Sequence, residues 1–264
     1  IADTTAQLPL FLYALERHGK PLLPAAIRFD VFPRPSTVAV KSGGKDSQIV
    51  RFQIEGVLRK PDDAAVELVL DARIAANLHV RCLDSQGKDV QYVRLSKADD
   101  GAECSRGQGV VRLPERTPPG EYRILFDSEK RFSLGAPLAG KGFDKFVWHV
   151  PRQSDWEMGT MGRAFFLVPR GTRSFRLGLH GGEDPQALHA CDTEGVRRAS
   201  AFWHTQPATE LAVNVPPGTD DTVWELRRGL SPPVQVRFGE SEAPPYVATE
   251  RERFFVPATP PSLP

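Results

Sequence analysis

Apolar residues recur at every second position through most of this chain, and that alternation constrains the fold more than any other feature. "RFQIEGVL" puts Phe52, Ile54 and Leu58 on one side, "AVELVLDARI" Val66, Leu68 and Leu70, and "EYRILF" Tyr122, Ile124 and Phe126. Later runs repeat the pattern with Phe175, Leu177 and Leu179, with Leu211, Val213 and Val215, and with Val234, Val236 and Phe238. Side chains of a strand point alternately to its two faces, so each run has one greasy and one wet face, as a half-buried antiparallel strand requires. The 24 prolines and 22 glycines among 264 residues interrupt the chain too often for long helices. A dozen or more such runs, spaced by about ten residues, predict an all-β protein of sandwiches or jelly rolls. The exception is residues 5–18, "TAQLPLFLYALERH", which predict one short N-terminal helix.

The strand runs fall into two groups. "SLGAPLAGKGFDK" (Ser133–Lys145) is rich in Gly, Ala and Pro, and no strand pattern crosses it. The expected division is an N-terminal extension at 1–23, a sandwich at 24–132, a linker at 133–142, a second sandwich at 143–257 and a proline-rich tail at 258–264. The groups share an order of signals. "LHVRCLDSQGK" (Leu78–Lys88) is echoed by "LHACDTEGV" (Leu188–Val196), and "PPGEYRILF" from Pro118 by "PPGTDDTVWEL" from Pro216. Asp caps its own turn and Gly supplies positive φ, so Asp-x-x-Gly reverses the chain locally. His79 and Cys82 stand three apart and face opposite ways, with Cys82 toward the core. His189 and Cys191 stand two apart and share a face. The echo therefore keeps a turn and not a ligand set, and it reads as a repeated piece of fold. His189 and Cys191 remain a conceivable metal pair, but no Cys-x-x-Cys or His-x-x-x-His supplies the other ligands of zinc.

Net charge is +1, with no block of like charges, so nothing marks a nucleic-acid surface. No apolar run reaches the length of about 18 residues that a membrane helix needs. The chain opens on Ile1 without a signal-like segment, which reads as a mature product or the later part of something longer. Cys82, Cys104 and Cys191 leave at least one thiol unpaired, and a Cys82–Cys104 bridge would suit an exported protein. "GAPLAGKG" (Gly135–Gly142) ends in Gly where a phosphate loop has Ser or Thr, and a strand follows it in place of a helix. "KSGGKDS" (Lys41–Ser47) reads as a hairpin. No nucleophile elbow, zinc-protease or dinucleotide motif occurs. The acidic loops Gly181–Pro185 and Gly218–Thr222 could lend oxygens to calcium, although they read first as polar turns. No other cofactor is expected.

Aromatic residues are the remaining candidates, because exposed rings stack on the C–H faces of sugars. Trp148 and Trp224 have core parity. Trp203 has parity opposite to Phe202, so one of that pair should face outward. Trp156 lies in a long polar stretch and Tyr246 in "EAPPYVA". Trp156, Trp203 and Tyr246 are therefore the expected ligand-binding residues.

The second half, "AFFLVPRGTRSFRLGL", "ALHACDTEG", "LAVNVPPGTDDTVWELRRG" and "VQVRF", resembles the galactose-binding-like jelly rolls of secreted bacterial polysaccharide-active proteins. The first half, with "PPGEYRI", resembles an immunoglobulin-like sandwich from the same kind of protein. The resemblance implies a non-catalytic accessory pair, secreted, periplasmic or on the cell surface. Such a pair binds polysaccharide or scaffolds an adjacent catalytic domain. The alternatives are a structural or adhesion spacer whose Pro244–Pro257 segment docks a partner, or a glycan-active hydrolase with unrecognised carboxylates.

Overall fold

A computed structural model describes residues 29–31, 34–42, 45–62, 64–99, 101–136, 140–150, 156–158, 162–181, 186–203, 209–228, 234–238 and 246–258. The expected helix at 5–18 lies outside them. Twenty strands and one 3-10 turn are present, with no α-helix among the described residues. The first group comprises β1 (Phe29–Val31), β2 (Arg34–Ser42), β3 (Lys45–Lys60), β4 (Val66–Ile74), β5 (Leu78–Leu83), β6 (Asp89–Leu95), β7 (Ser105–Leu113), β8 (Gly120–Ser128), β9 (Phe132–Ala136), β10 (Gly140–Lys141) and β11 (Lys145–His149). The second comprises β12 (Trp156–Met158), β13 (Arg163–Val168), β14 (Ser174–Gly181), β15 (Gln186–Cys191), β16 (Arg197–Trp203), β17 (Thr209–Asn214), β18 (Thr222–Arg228), β19 (Val234–Arg237) and β20 (Tyr246–Val247).

Alternation produces the core as expected. In β4 every second residue from Val66 to Ile74 is buried. Tyr122, Ile124 and Phe126 of β8, Phe175, Leu177 and Leu179 of β14, and Val234, Val236 and Phe238 are all buried too. Trp148 and Trp224 sit at 1% and 0% exposure. "KSGGKDS" is the β2–β3 hairpin, closed by Ser42 opposite Lys45.

Both halves have one topology. In the second, the sheets run β12-β19-β14-β17 and β13-β18-β15-β16. Numbered one to eight along the chain, these are 1-8-3-6 packed on 2-7-4-5, the jelly roll. In the first half β1, β3 and β4 to β9 take the same eight places. There β1 pairs β9, β9 pairs β4 and β4 pairs β7, while β3 pairs β8, β8 pairs β5 and β5 pairs β6. The immunoglobulin-like expectation for residues 24–132 is thus corrected to a second jelly roll. The reason is that strand alternation fixes faces but not connection order, and connection order is what separates the two sandwiches.

The expected linker is also corrected. Residues 132–136 and 140–141 are β9 and β10, both paired to β4, and β11 continues the sheet of β3. Glycine permits the join at one point: Gly56 of β3 lies under the Phe146 ring, where a Cβ would collide. The sheets of the first jelly roll therefore gain strands up to residue 149.

The two jelly rolls are fused. The chain returns as β20, pairing Tyr246 with His149 and Val247 with Trp148 of β11. The next residue, Ala248, exchanges two backbone hydrogen bonds with Phe165 of β13, at 2.8 and 2.9 Å. One layer then runs unbroken as β6-β5-β8-β3-β11-β20-β13-β18-β15-β16. In the other layer β1 lies beside β12. A single cluster of buried apolar residues passes through both halves, from Ile54 and Leu58 to Trp224 and Phe238. After β20 the chain crosses the outer face of the ten-strand layer. Tyr246, Ala248, Phe254 and Phe255 cover Val57, Val147 and Phe165 there. Arg59 stacks over Phe255, and Arg251 stacks over Phe165 while donating to Val223 O at 2.8 Å. Residues 259–264 of the proline-rich tail lie outside the described residues.

Candidate functional site

The repeated hairpins hold the best-formed surface features, and their turns match bond for bond. Asp84 Oδ1 accepts the Gln86 and Lys88 N–H groups, both at 2.9 Å. Asp192 Oδ1 accepts those of Glu194 and Val196 at 3.0 and 2.9 Å. Gly87 and Gly195 take φ of 78° and 77°. The Pro-Pro-Gly echoes differ in their turns, which close from Thr117 N–H to Pro114 O before the first and from Thr219 N–H to Pro216 O within the second. Each is nevertheless followed by a core aromatic tied back to the preceding chain. Tyr122 OH donates to Pro118 O and Trp224 Nε1 to Thr219 O, both at 2.7 Å. The turns thus fix the register of each hairpin and the directions of its outward residues.

In the second half, β15 and β16 turn His189, Ser200 and Phe202 outward. Leu188, Ala190 and Ala201 point into the core. Phe202 is 70% exposed and meets the His189 ring edge-on, with centroids 5.6 Å apart. His189 Nδ1 bonds Ser200 Oγ at 2.9 Å. Burial, then Arg197 and Arg227, push the imidazole below its usual value, so the ring is neutral at pH 7. Beside it, Glu225 is 1% exposed and held by Arg163 and Arg227, the latter through Nε at 2.8 Å. Burial raises this carboxyl, but the arginine hydrogen bonds outweigh it and leave the group below the ordinary glutamate range. Cys191 is buried next to this pair, and burial pushes its thiol up. The arrangement is a rigid platform of one exposed ring, one neutral imidazole and fixed guanidiniums. It carries no activated nucleophile.

The three expected binding residues fare differently. Tyr246 is in strand β20, 4% exposed, with its hydroxyl pushed up to about 12 by burial and then by Glu55 and Glu121. A ring so enclosed cannot stack on a ligand, so Tyr246 belongs to the packing between halves. Trp156 lies in β12, its backbone opposite Val236, and Trp203 ends β16, opposite Gln186. The side chains of both fall outside what the structure describes. Of the pair at 202 and 203, Phe202 faces outward. Parity announced that one of them would, but which one depends on how β16 registers against β15.

Cys82, Cys104 and Cys191 are free thiols. The Cys82–Cys104 bridge does not form: Cys82 points into the core at 0% exposure, and burial lifts its thiol to about 12. Among the described residues no group of three or more His, Cys, Asp or Glu is placed to hold a metal ion. In the loop Gly218–Thr222, Asp220 accepts the Gly171 N–H at 2.7 Å and Asp221 pairs with Arg170 at 3.5 Å. Residues 182–185 of the other acidic loop lie outside the described residues. No described helix is long and apolar enough to cross a membrane.

No family model matches the chain, and no curated protein matches it. Among solved structures, the chain aligns with the N-terminal CBM22-1–CBM22-2 tandem domain of Xyn10C from Paenibacillus barcinonensis. The alignment covers 83% of this chain and 91% of that one, at 8% identity and a TM-score of 0.19. At that score the two backbones do not superpose, and the likeness carries no argument.

Proposed function

We propose that this protein is a non-catalytic pair of fused jelly rolls that binds a polysaccharide, with Phe202 and His189 as a binding platform. The observation that carries this reading is the exposure of Phe202. A phenyl ring left 70% in water forgoes most of the about 2–3 kcal/mol that burying it would contribute. On a rigid strand beside a neutral imidazole, such a ring supplies a flat apolar face for sugar C–H groups. His189 and Ser200 add hydrogen-bonding partners at its edge, and Arg197 adds a cationic one. The site is shallow, so its affinity is modest. An exported or cell-surface location, in a bacterial protein that also carries a catalytic domain, belongs to the same proposal. The continuous ten-strand layer suits the accompanying role of a stiff scaffold for such a domain.

Native affinity electrophoresis through gels containing xylan, mixed-linkage β-glucan, galactomannan or polygalacturonate tests the reading. At least one polymer is expected to retard the protein. Phe202→Ala should weaken that retardation by about tenfold at its site, the equivalent of about 1.4 kcal/mol of lost ring contact. Unimpeded migration through all four gels, or identical retardation of the variant, counts against the proposal.

A further inference from the structure

The first jelly roll carries a second ring and imidazole pair on the equivalent hairpin. Tyr92, on β6, is 53% exposed, and it and Phe202 are the two exposed aromatic rings among the described residues. They occupy corresponding strands, since β5–β6 and β15–β16 are the same hairpin of the two jelly rolls. Each ring stands on the outer face of the ten-strand layer. Arg81, across from Tyr92, alternates with the buried Val80 and Cys82. Each ring meets a histidine of the neighbouring strand, Tyr92 with His79 at 6.0 Å between centroids and Phe202 with His189 at 5.6 Å. In each case that histidine's Nδ1 is engaged by a hydroxyl from the second strand, Tyr92 OH or Ser200 Oγ. Nδ1 is thereby satisfied, and Nε2 is the ring atom left for a ligand hydroxyl.

The spacing from the turn differs: His79 stands five residues before Asp84 and His189 three before Asp192. The bulges, at Cys82/Leu83 and Ala190/Cys191, stand at the same place before the turn, so His79 lies two residues farther from it than His189, and Tyr92 two residues nearer to it than Phe202. Two unlike sequences thus arrive at a ring and an imidazole on the outer face of the same hairpin, paired on opposite diagonals of the ladder. Chance exposure of single apolar residues would scatter them.

We infer that His79 and Tyr92 form a second carbohydrate platform, so that one molecule binds two ligand segments. This inference rests on the polysaccharide-binding reading above. Seven strand spacings separate β5 from β15, about 34 Å along the layer at the usual inter-strand distance. That separation makes the sites independent for a short oligosaccharide, while a polymer can engage both.

Amide NMR spectra of the full chain, titrated with the hexasaccharide of whichever polymer retards it, read the two sites separately. Resonances around His79–Tyr92 and around His189–Phe202 should both move, saturating at two ligands per chain. Tyr92→Ala should abolish the first set of shifts and leave the second, Phe202→Ala should do the reverse, and the double variant should show neither. Both rings are largely in water, so unchanged amide dispersion elsewhere certifies folding. If only the Phe202 set responds and saturates at one ligand, the second platform is overturned while the binding function stands. If no hexasaccharide moves either set, the function itself falls with it.

Discussion

Two carboxylates show how little of a charged residue's role lies in its type. Asp84 and Asp192 make the same turn, yet Asp84 is half-buried and Asp192 wholly buried, with the Arg198 guanidinium closing over it. Glu225 is more demanding still, because burial opposes its charge and only Arg163 and Arg227 keep it ionised. Its folded pKa lies below the unfolded one, so its stabilisation is complete above the ordinary glutamate value. It is lost as pH falls from there through the folded value. Glu225→Gln should therefore cost about 2–3 kcal/mol at pH 7, by leaving two guanidiniums without their anion. The variant should also lose less stability than the parent as pH falls below the ordinary glutamate value. Urea unfolding at pH 7, 5 and 3.5 measures both effects. Parallel acid profiles for the two proteins would show that the carboxyl does not contribute this way.

At the scale of elements, the decisive piece is the returning segment from β20 to Phe255. Strand β20 is two residues long, but it joins β11 to β13, and without it the layer would end in two open edges. The segment also covers the apolar band of Val57, Val147 and Phe165. Phe255→Ala removes the ring that Arg59 stacks on and should cost about 3 kcal/mol. Binding of a dye specific for exposed apolar surface should rise in parallel. A loss below about 0.5 kcal/mol would show that the segment rests on the layer without holding it. The strands β9 and β10 teach the converse lesson. Strand β9 has only the short alternation of Phe132 and Leu134 and β10 has no hydrophobic period, and β4 draws both into a sheet because its edge needs backbone partners.

At the scale of the whole molecule, a shared core and a continuous layer make two jelly rolls into one folding unit. Trp148 is the one tryptophan of the first half, while Trp156, Trp203 and Trp224 belong to the second, so Trp148→Phe leaves fluorescence that reports on the second half alone. Urea unfolding of Trp148→Phe and Trp224→Phe, each followed by tryptophan fluorescence and far-ultraviolet circular dichroism, should give one coincident transition per protein. Each variant differs from the parent by its own stability, so the comparison is between probes within a protein. Two separated transitions would mean that the halves unfold independently and that the bridge through Ala248 is weak. A stiff body also fixes the separation of the two hairpin faces, and the proposed two-site binding depends on that.

The period of two determined much of this protein by itself: strands, their faces, the core tryptophans and the inward Cys82. The Asp-x-x-Gly signal determined the repeated turn, because a turn is made by residues adjacent in the chain. Alternation says which way a residue points only relative to its own strand. It does not say which strands become neighbours, so the jelly-roll order of the first half was decided only by tertiary pairing. The same is true of the strand character of residues 132–136 and 140–141, the burial of Tyr246 and the outward direction of Phe202. Each depends on a partner dozens of residues away, whose contribution of backbone hydrogen bonds and covering surface has no local mark in the sequence.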